Sequence, residues 1–490
     1  MKQFFFCSKF TVIVVILSIL CLSGFIQAKD EGKVPITTSS QEALQDFLKG
    51  RELFENLLAQ ESLQYFEKAI KKDPNFALAR LYYANAQPIP KGFFDEFEKA
   101  VALVDKVSDG ERYWILGVQA AVNGMTLKQR ELFQKLCQAY PNDERAHGLL
   151  GNHYFGQQMF EEAIQEYERT IEINPEYPQV YNQLGYSYRQ LENYTKAEEA
   201  FKKYTELIPN DPNPYDSYAE LKMKIGDYES SIEIYRKALE VNPNFVASHI
   251  GIATNYNFMG EHEKGRGQLK KLFEIARNDG ERRQARFAMA VSYVDEGNFE
   301  KALEELDWMY KTAKNVNDAA AMAGDLVNMG NIYYEMGDYD DAAVRYEKSL
   351  QTMISSDLEK KVINNARRLY LYNAGKVALQ KGDLKTSKEK SDEFKKAVLE
   401  VRNTFQTWLS HELDGMIALS EKRYETAIEE FKSANQQNPY TFYRMAIAYE
   451  GIGNKEKAKK YCQKAANHNT LNNMNYAFIR TKAKGMLLNL

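Results

Sequence analysis

Apolar residues along most of this chain return at intervals of three and four residues, and one arrangement of small and aromatic residues returns after 34 residues. In LLGNHYFGQQMFEEAIQEYERTIEINP, Gly151 precedes Tyr154 by three residues, Ala163 by twelve and Tyr167 by sixteen. The stretch LGYSYRQLENYTKAEEAFKKYTELIP repeats these intervals from Gly185. Intervals of three and four residues are typical of amphipathic helices. A fixed period of this length is typical of stacked helical repeats.

Each period contains two helical stretches separated by turn-forming residues such as GQQMF, ENY, GDY and GNF. The units end in NP or PND, where proline stops the second helix. The small residue at the Gly151 position, here called the anchor, lets a second helix come close, and the aromatic residue sixteen positions later fills the space between layers. One such hairpin cannot bury its own apolar face, so the pattern predicts a stack of hairpins.

The anchors divide most of the chain into about twelve units. They are Gly50, a degenerate position near Ala84, Gly117, Gly151, Gly185, Ala219, Ala253, Ala290, Gly330, a poor copy at Ala374, Gly415 and Ala446. After Ala253 the intervals lengthen to 37, 40, 44 and 41 residues, which predicts helices longer by one or two turns, or longer loops. The final stretch MNYAFIRTKAKGMLLNL is predicted to form the capping helix that such arrays need.

This pattern resembles the tetratricopeptide repeat family over roughly residues 43–470. The resemblance implies an all-α fold, a right-handed α-solenoid (superhelix) of about twelve stacked helix-turn-helix units with a C-terminal capping helix. The domain order we expect is a signal peptide at 1–28, a short linker at 29–42, degenerate units at 43–110, a regular array at 111–279, longer irregular units at 280–470 and the capping helix at 471–490.

The first 28 residues differ from the rest of the chain. Lys2 and Lys9 precede an apolar run at 10–26, and Ala28 precedes KDEG. This order is typical of a secretory signal peptide, so we expect an exported chain, periplasmic or secreted after cleavage. The apolar run has 17 residues, and as a helix it would be about 25 Å long against a hydrocarbon core of about 30 Å. A retained membrane anchor therefore remains the alternative.

The charge balance excludes an obvious nucleic-acid binder. The chain has 64 Lys and Arg residues against 68 Asp and Glu residues, a formal net charge of −4, whereas nucleic-acid binders carry a basic face or stripe. Only Cys137 and Cys462 follow the predicted signal peptide. Two cysteines are too few for a framework of several disulfides. Both lie in segments with helical periodicity, where a free cysteine usually behaves as a small buried hydrophobic residue.

The sequence contains no recognisable catalytic motif. HExxH, GxSxG and the phosphate-binding P-loop are all absent. The glycines of GEHEKGRG, at 260–267, lie at a repeat turn in a helical chain. We therefore expect no enzyme, no cofactor and no metal site.

In the tetratricopeptide repeat family, the first helix of each unit lines a concave groove through residues three before, one after and four after the anchor. Carried over to this chain, the candidate partner-binding residues are Asn152, Phe155, Asn182, Tyr186, Arg189, Asp216, Asn257, Asn331 and Tyr334, with Glu220, Met223 and Thr254 at further positions of the same kind. The resemblance implies a protein or peptide partner, held by amides along its backbone and by Arg189 at an acidic group. The alternative is that several of these residues are only solvated or touch the next unit.

Two functions fit these expectations. The first is an exported scaffold that binds a protein or peptide in its groove and assists assembly of an envelope complex. The second is a sensory or regulatory array, anchored by an uncleaved first helix, that acts on a membrane partner. Sequencing of the mature N-terminus separates them, since Lys29 supports the first and Met1 the second.

Overall fold

The computed structural model of the chain describes residues 26–27, 32–56, 58–87, 90–401 and 403–490. The predicted signal peptide therefore lies outside the described residues, apart from 26–27. The chain forms two compact units, Met1–Ile115 and Leu116–Leu490.

The described residues form 25 α-helices and two short strands. The strands β1 (Ile26–Gln27) and β2 (Thr37–Thr38) pair antiparallel. The helices are α1 (Gln41–Glu55), α2 (Ala59–Lys72), α3 (Ala77–Ala86), α4 (Pro90–Val101), α5 (Asp109–Val122), α6 (Thr126–Ala139), α7 (Glu144–Gly156), α8 (Phe160–Ile173), α9 (Pro178–Gln190), α10 (Tyr194–Leu207), α11 (Pro212–Ile225), α12 (Tyr228–Val241), α13 (Val246–Phe258), α14 (His262–Ile275), α15 (Asp279–Glu296), α16 (Phe299–Asn315), α17 (Ala319–Met336), α18 (Tyr339–Ile354), α19 (Lys360–Gln380), α20 (Leu384–Val401), α21 (Thr404–Ser420), α22 (Tyr424–Ser433), α23 (Pro439–Gly451), α24 (Lys455–Ala466) and α25 (Met474–Leu487).

The helices α1 to α24 follow one another as twelve pairs, and α25 comes after the last pair. In Leu116–Leu490, each helix packs against the helix before it and the helix after it, so that successive pairs stack as an α-solenoid. The predicted all-α repeat fold is confirmed, and the number of pairs agrees with the predicted number of units. Among the described residues, no helix is both long enough and apolar enough to cross a membrane.

The anchor glycines are needed because an aromatic ring occupies the space where a side chain would begin. A Cβ atom on Gly151 would lie 2.5 Å from the ring of Tyr167, and a Cβ on Gly185 would lie 2.7 Å from the ring of Phe201. Carbon atoms in contact prefer separations of about 3.5–4.0 Å. The small residue twelve positions after the anchor, such as Ala163, is fully buried. The predicted packing of anchor and aromatic residue is confirmed.

Polar residues fix the ends of many helices. The side chains of Asn193, Asn298 and Asp338 each accept a hydrogen bond from a backbone N–H in the first turn of α10, α16 and α18, which satisfies a donor that the helix leaves unpaired. Gly297 and Gly337 end α15 and α17 in the left-handed conformation, with φ of 87° and 84°, which glycine adopts at little cost.

The later hairpins are longer, as the anchor intervals predict. Helices α7 to α14 have 13 or 14 residues, whereas α15 and α17 have 18 and α19 has 21. The additional length thus lies within helices, and this prediction is confirmed.

The register of the tenth hairpin differs by one residue from the prediction. The predicted anchor was Ala374, but Gly375 holds that position: Ser387, twelve residues later, is fully buried. Gly382, seven residues later, forms the turn with φ of 79°, and the preceding hairpin has the same interval between its anchor and its turn glycine. The prediction was wrong because Ser391 stands at the position where the most regular units, such as those of Gly151, Gly185 and Gly330, have an aromatic residue.

The unit Met1–Ile115 has an aromatic core of its own. The rings of Phe47, Phe66 and Tyr82 lie within 6.0 Å of one another, centroid to centroid. Ahead of α1, Val34 is buried and Thr38 donates a hydrogen bond of 2.6 Å to Asp73. Part of the predicted linker at 29–42 therefore packs against the first helices.

Within Leu116–Leu490, residues far apart in sequence meet. The Thr404 hydroxyl, at the start of α21, donates to Gln157 Oε1 at 2.7 Å. Gln158 Nε2 donates to Asn435 at 2.9 Å. The turn between α7 and α8 thus contacts hairpins formed by the last quarter of the chain, so this unit curves back on itself.

Candidate functional site

The first helices of the hairpins form the inner wall of Leu116–Leu490. Neighbouring first helices contact each other directly in the pairs α7–α9, α9–α11, α11–α13, α13–α15, α19–α21 and α21–α23, whereas the second helices that the structure describes touch one another far less. Helices that converge in this way lie on the concave side of a curved stack. We use the name inner wall for the facing surface of α7, α9, α11, α13, α15, α17, α19, α21 and α23.

The predicted residue Arg189 already has an acidic partner within the chain. Its guanidinium lies 2.5 Å from the carboxylate of Glu220 on the next first helix, and both side chains are nearly buried. The Tyr186 hydroxyl donates to the other oxygen of Glu220 at 2.8 Å, and the guanidinium lies 4.5 Å from the Tyr186 ring centroid. These contacts join α9 to α11. They also pair the positive charge of Arg189, which the sequence predicted would bind an acidic group of a partner.

Asp216 and Asn257 are likewise used between neighbouring helices. Asp216 accepts a hydrogen bond of 2.7 Å from Ser248 on α13, and Asn257 accepts one of 2.8 Å from Ser292 on α15. Both side chains are buried. Burial is the main cause that raises the pKa of Asp216 to about 7, and the nearby Glu220 carboxylate adds to it. These two positions match the expected alternative, contact with the next unit.

Asn152 and Asn331 stand one residue after their anchors and share a local contact. Asn152 Oδ1 accepts a hydrogen bond of 2.8 Å from the Tyr167 hydroxyl, and Asn331 Oδ1 accepts one of 2.8 Å from Tyr346. Each asparagine therefore fixes the aromatic residue of its own hairpin. Asn152 is otherwise exposed on the surface.

The remaining predicted residues are partly accessible. Phe155 and Asn182 are half-buried, and Asn182 Oδ1 is a buried acceptor without a hydrogen bond among the described residues. Tyr334 is also half-buried and borders an open cavity farther along the inner wall.

Helix α25 covers the middle of the inner wall. Tyr476 packs with its ring centroid 5.1 Å from that of Phe258, and the Arg480 guanidinium lies 3.9 Å from the Phe258 ring centroid. Just before α25, Asn469 Nδ2 donates to the Met223 carbonyl at 3.1 Å. The predicted capping helix thus fills the wall at α11, α13 and α15, where it shares an apolar core with these helices and with residues of α17, and it also packs against α23.

Beside α25, the wall of α17, α19, α21 and α23 leaves open space, which Asn475 and Phe478 of α25 also line. It encloses a cavity of about 450 Å³, and a second cavity of about 500 Å³ adjoins it. Amide side chains line the first cavity, among them Asn331, Asn373 and Asn475. Trp408 and Phe405 also line it, and Phe405 is 53% exposed. We call this first space the open-wall cavity.

The two carboxylates that line the cavity are each paired with a cation. Glu335 forms an ion pair with Lys482 and accepts a hydrogen bond of 2.5 Å from Tyr440. Glu412 forms an ion pair with Arg444, and both of these side chains are nearly buried.

Lys376 differs from the other charged residues of the cavity. It is only 9% exposed, and its ammonium nitrogen lies 4.9, 5.0 and 5.8 Å from the ring centroids of Tyr334, Tyr372 and Tyr346. No acceptor among the described residues lies within hydrogen-bonding distance of this nitrogen. Burial lowers the pKa of Lys376 to about 8. The tyrosine faces attract the cation, but they offer it no hydrogen bond.

The sequence prediction missed Lys376, Tyr372 and Glu412. The groove rule, three before and one after the anchor, gives Tyr372 and Lys376 from Gly375, and Glu412 from Gly415. Because the anchor was placed one residue too early, at Ala374, the rule did not select Tyr372 and Lys376. The signal that could have found them is the glycine at the turn, Gly382.

One group of potential metal ligands occurs among the described residues, at Cys137, His147 and Glu166, whose donor atoms lie within 4.8 Å of one another. His147 Nδ1 is 2.6 Å from Glu166. The same pair, nineteen residues apart, recurs without a thiol at His411 and Glu430, 2.7 Å apart. The histidine–glutamate contact therefore belongs to the packing of the repeat. Cys137 and Cys462 are both free and buried, as predicted for small hydrophobes.

Comparison with known protein families identifies the repeat. Models described as TPR repeat or tetratricopeptide repeat match residues 151–191, 178–211, 213–245, 326–360 and 440–469. No curated protein matches the chain.

Several solved structures are similar to parts of it. A MamA protein is 19% identical over 33% of this chain and 89% of its own, with a TM-score of 0.30. MamA from Desulfovibrio magneticus is 14% identical over 35% of this chain and 96% of its own, with a TM-score of 0.31. A tetratricopeptide repeat protein from Parabacteroides merdae is 16% identical over 68% of this chain and 100% of its own, with a TM-score of 0.34.

The first matched segments, 151–191 and 178–211, include the hairpins in which Gly151 and Gly185 pack against Tyr167 and Phe201. These matches, spread along the chain, support a tetratricopeptide repeat protein.

Proposed function

We propose that this protein is an exported scaffold that captures an extended segment of a protein or peptide partner on the open part of its inner wall. The observation that carries the proposal is the pair of adjoining cavities at α17 to α23, about 450 and 500 Å³ in volume. The repeat architecture itself supports a role in protein interaction.

The lining of the open-wall cavity suits a peptide. Amides such as Asn331, Asn373 and Asn475 can both donate to and accept from a peptide backbone. Trp408 and Phe405 supply apolar surface for a side chain, and aromatic residues are frequent anchors of protein contacts. The exposed Asn152 and half-buried Phe155 would extend the same surface toward the start of Leu116–Leu490.

Export is supported by the basic start, apolar run and small residue in 1–28. In the envelope, such a scaffold would assist the assembly of a complex. A second candidate is a membrane-anchored regulatory array, which would require that the 17-residue apolar run is retained and spans the membrane although it is shorter than a typical hydrocarbon core. N-terminal sequencing of the protein from its native host decides between them, since Lys29 as the first residue supports export with cleavage and Met1 supports the anchor.

Site-specific photocrosslinking tests the binding surface. A benzoylphenylalanine is placed at Phe405 on the inner wall or at Val344 on the second helix α18, since these side chains are 53% and 54% exposed. Each variant is irradiated in an envelope extract, and the adducts are identified by mass spectrometry. We expect one partner to be enriched at position 405 and not at 344. Adducts at 344 with none at 405 would place the partner on the outer face and refute the proposal.

A further inference from the structure

Three side chains that can bind a metal ion meet at the packing of α6, α7 and α8. They are Cys137 on α6, His147 on α7 and Glu166 on α8, and one donor atom of each lies within 4.8 Å of the other two. Cys137 is buried, whereas His147 and Glu166 are half-buried, so the group lies just below the surface. Thiolate, imidazole and carboxylate are the three kinds of side-chain ligand that zinc uses in proteins.

The repeat builds the same three positions in later units. The members of the group stand twenty residues after one anchor, and four before and fifteen after the next anchor. The corresponding later sets are Leu239, His249 and Gln268; Phe273, Arg286 and Glu305; and Lys395, His411 and Glu430. In each of these, the second and third members are in hydrogen-bond contact, at 2.6, 2.7 and 2.7 Å. Helix packing alone therefore makes the pair, and of these four sets only the first adds a thiol as a third donor.

The set with Lys395 shows which charge suits the first position. The ammonium group of Lys395 interacts favourably with the Glu430 carboxylate of its set. In the first set that position belongs to Cys137, whose thiol is close enough to Glu166 and Asp143 for both carboxylates to act on it. A cation bound at the thiol would be attracted by these carboxylates, as the ammonium is in the later set.

His147 already has the orientation of a metal ligand. Its Nε2 lies 3.2 Å from the Pro141 carbonyl oxygen. Because a carbonyl can only accept a hydrogen bond, we assign a proton to Nε2. Nδ1 faces Glu166 Oε2 at 2.6 Å, so a second proton lies between these two atoms when no metal is bound. An ion in place of that proton uses Nδ1 and Oε2 as ligands, and the Nε2–H bond to the carbonyl keeps the ring in position.

We propose that Cys137, His147 and Glu166 bind one zinc ion between α6, α7 and α8, through Cys137 Sγ, His147 Nδ1 and a carboxylate oxygen of Glu166. A water molecule completes the tetrahedron. Binding releases the thiol proton and the proton shared by His147 and Glu166 to the solvent. This site is independent of the proposed peptide capture, and it ties the second helix of one hairpin to both helices of the next.

The geometry and the donor types suit zinc. Bonds of about 2.0–2.3 Å in a tetrahedron place the donor atoms roughly 3.3–3.8 Å apart, so small side-chain rotations bring the three donors to their positions. Calcium and magnesium ions prefer ligand sets made of oxygen atoms, and a sulfur and a nitrogen ligand select against them.

Cobalt substitution of the purified protein, kept reduced with a phosphine, tests the site. Co²⁺ bound by a thiolate has an intense charge-transfer band in the near ultraviolet, whereas Co²⁺ bound by surface carboxylates does not. We expect one Co²⁺ per chain with this band, and one equivalent of Zn²⁺ should remove it by displacing the cobalt.

Variants assign the ion to the three residues. Cys137→Ala should abolish the band and weaken zinc binding by on the order of a hundredfold or more. His147→Gln should weaken zinc binding as well, since glutamine can keep a hydrogen bond to Glu166 but is a poor zinc ligand. The matched controls are Cys462→Ala, at the other buried free thiol, and His411→Gln, at the same repeat position without a thiol. Both controls should bind zinc as the wild type does.

Thermal melting gives a second readout that does not depend on absorption. Zn²⁺ should raise the Tm of the wild type and leave that of Cys137→Ala unchanged, because the ion stabilises only the folded site. Circular dichroism confirms that each variant is folded, and the wild-type spectrum is decisive without any substitution.

A wild-type protein without the thiolate band would overturn the proposal. A band or a zinc-dependent rise in Tm that survives Cys137→Ala would overturn it too. Zinc bound equally well by the wild type and Cys137→Ala would be an adventitious ion only, which also counts against the site. None of these results bears on the crosslinking test at position 405.

Discussion

The inner wall has two stretches built from the same kind of helix that present very different surfaces. At α11 to α15, polar residues such as Asp216 and Asn257 bond to neighbouring helices, and α25 covers the apolar surface. At α17 to α23, the wall surrounds open space, and the buried Lys376 has no hydrogen-bond partner among the described residues. A position on the first helix therefore does not decide whether a side chain is available to a partner. Its availability depends on whether the next helix or the C-terminal segment contacts that side chain.

The largest expected effect comes from the helix that covers the wall. Tyr476→Ala removes a ring that is 1% exposed, whereas Phe405→Ala removes one that is 53% exposed in the open stretch. We expect Tyr476→Ala to reduce the free energy of unfolding by about 3–5 kcal/mol and Phe405→Ala to change it by less than about 0.5 kcal/mol. Urea denaturation followed by circular dichroism measures both. Equal losses would mean that α25 is not part of the folded core.

The next effect concerns the two cations of the wall. Arg189→Ala leaves the nearly buried Glu220 without its partner, and we expect a loss of about 3 kcal/mol in unfolding free energy. Lys376→Met removes a buried charge that has no acceptor, so it should leave stability unchanged or increase it. A double variant, Arg189→Met with Glu220→Leu, should recover part of the loss. If Arg189→Ala is neutral, the pair does not join α9 to α11.

Asp216 gives the covered stretch a pH dependence. Its pKa is raised to about 7 from 3.8, so the folded chain holds this proton over a range in which the unfolded chain has lost it. The folded state is therefore penalised progressively as pH rises from about 4 to about 7, and the penalty is complete above that range. Asp216→Asn should remove it and, at pH 8, increase the unfolding free energy by about 2 kcal/mol relative to wild type.

The matched control is Asp340→Asn on α18, because that side chain is 85% exposed. Denaturation curves at pH 4, 6 and 8 compare the two variants. An Asp216→Asn variant whose stability follows wild type at every pH would contradict the raised pKa.

The smallest effect compares a regular anchor with the irregular one. A Cβ on Gly330 would lie 2.6 Å from the Tyr346 ring, whereas a Cβ on Gly375 would lie 2.9 Å from a terminal methyl group of Leu413. A methyl group can move more easily than a packed ring. Gly330→Ala should cost about 1–2 kcal/mol, and Gly375→Ala should cost less than about 0.5 kcal/mol, helped by the better helix propensity of alanine. Thermal melting of both variants tests the order, and the reverse order would argue against the corrected register.

The sequence predicted the fold well because the repeat is fixed by local packing. Gly151 and Tyr167 belong to one hairpin, and the sixteen-residue interval between them corresponds to a direct contact within that hairpin. The tenth unit was misplaced because Ser391 replaces the aromatic residue that marks the register.

The site was predicted less completely because its surface depends on contacts between distant segments. The interval rule places Asp216 and Asn257 toward the groove, but it contains no information about Ser248 or Ser292 on the following helices. Nor does it report that Tyr476, more than two hundred residues later, packs against Phe258. Lys376 likewise lacks a hydrogen-bond partner among the described residues because Glu335 and Glu412 form ion pairs with Lys482 and Arg444.

Hydrogen–deuterium exchange of the purified protein, with and without the partner identified by the crosslinker at position 405, tests the division of the wall most directly. In the free protein we expect α25 to exchange slowly, at the rate of the core helices it contacts. On addition of that partner, amides of α19 and α21 should become better protected while those of α11 and α13 stay unchanged. Fast exchange of α25, or new protection at α11 and α13 accompanied by release of α25, would show that partners bind where the C-terminal helix lies and would contradict the account.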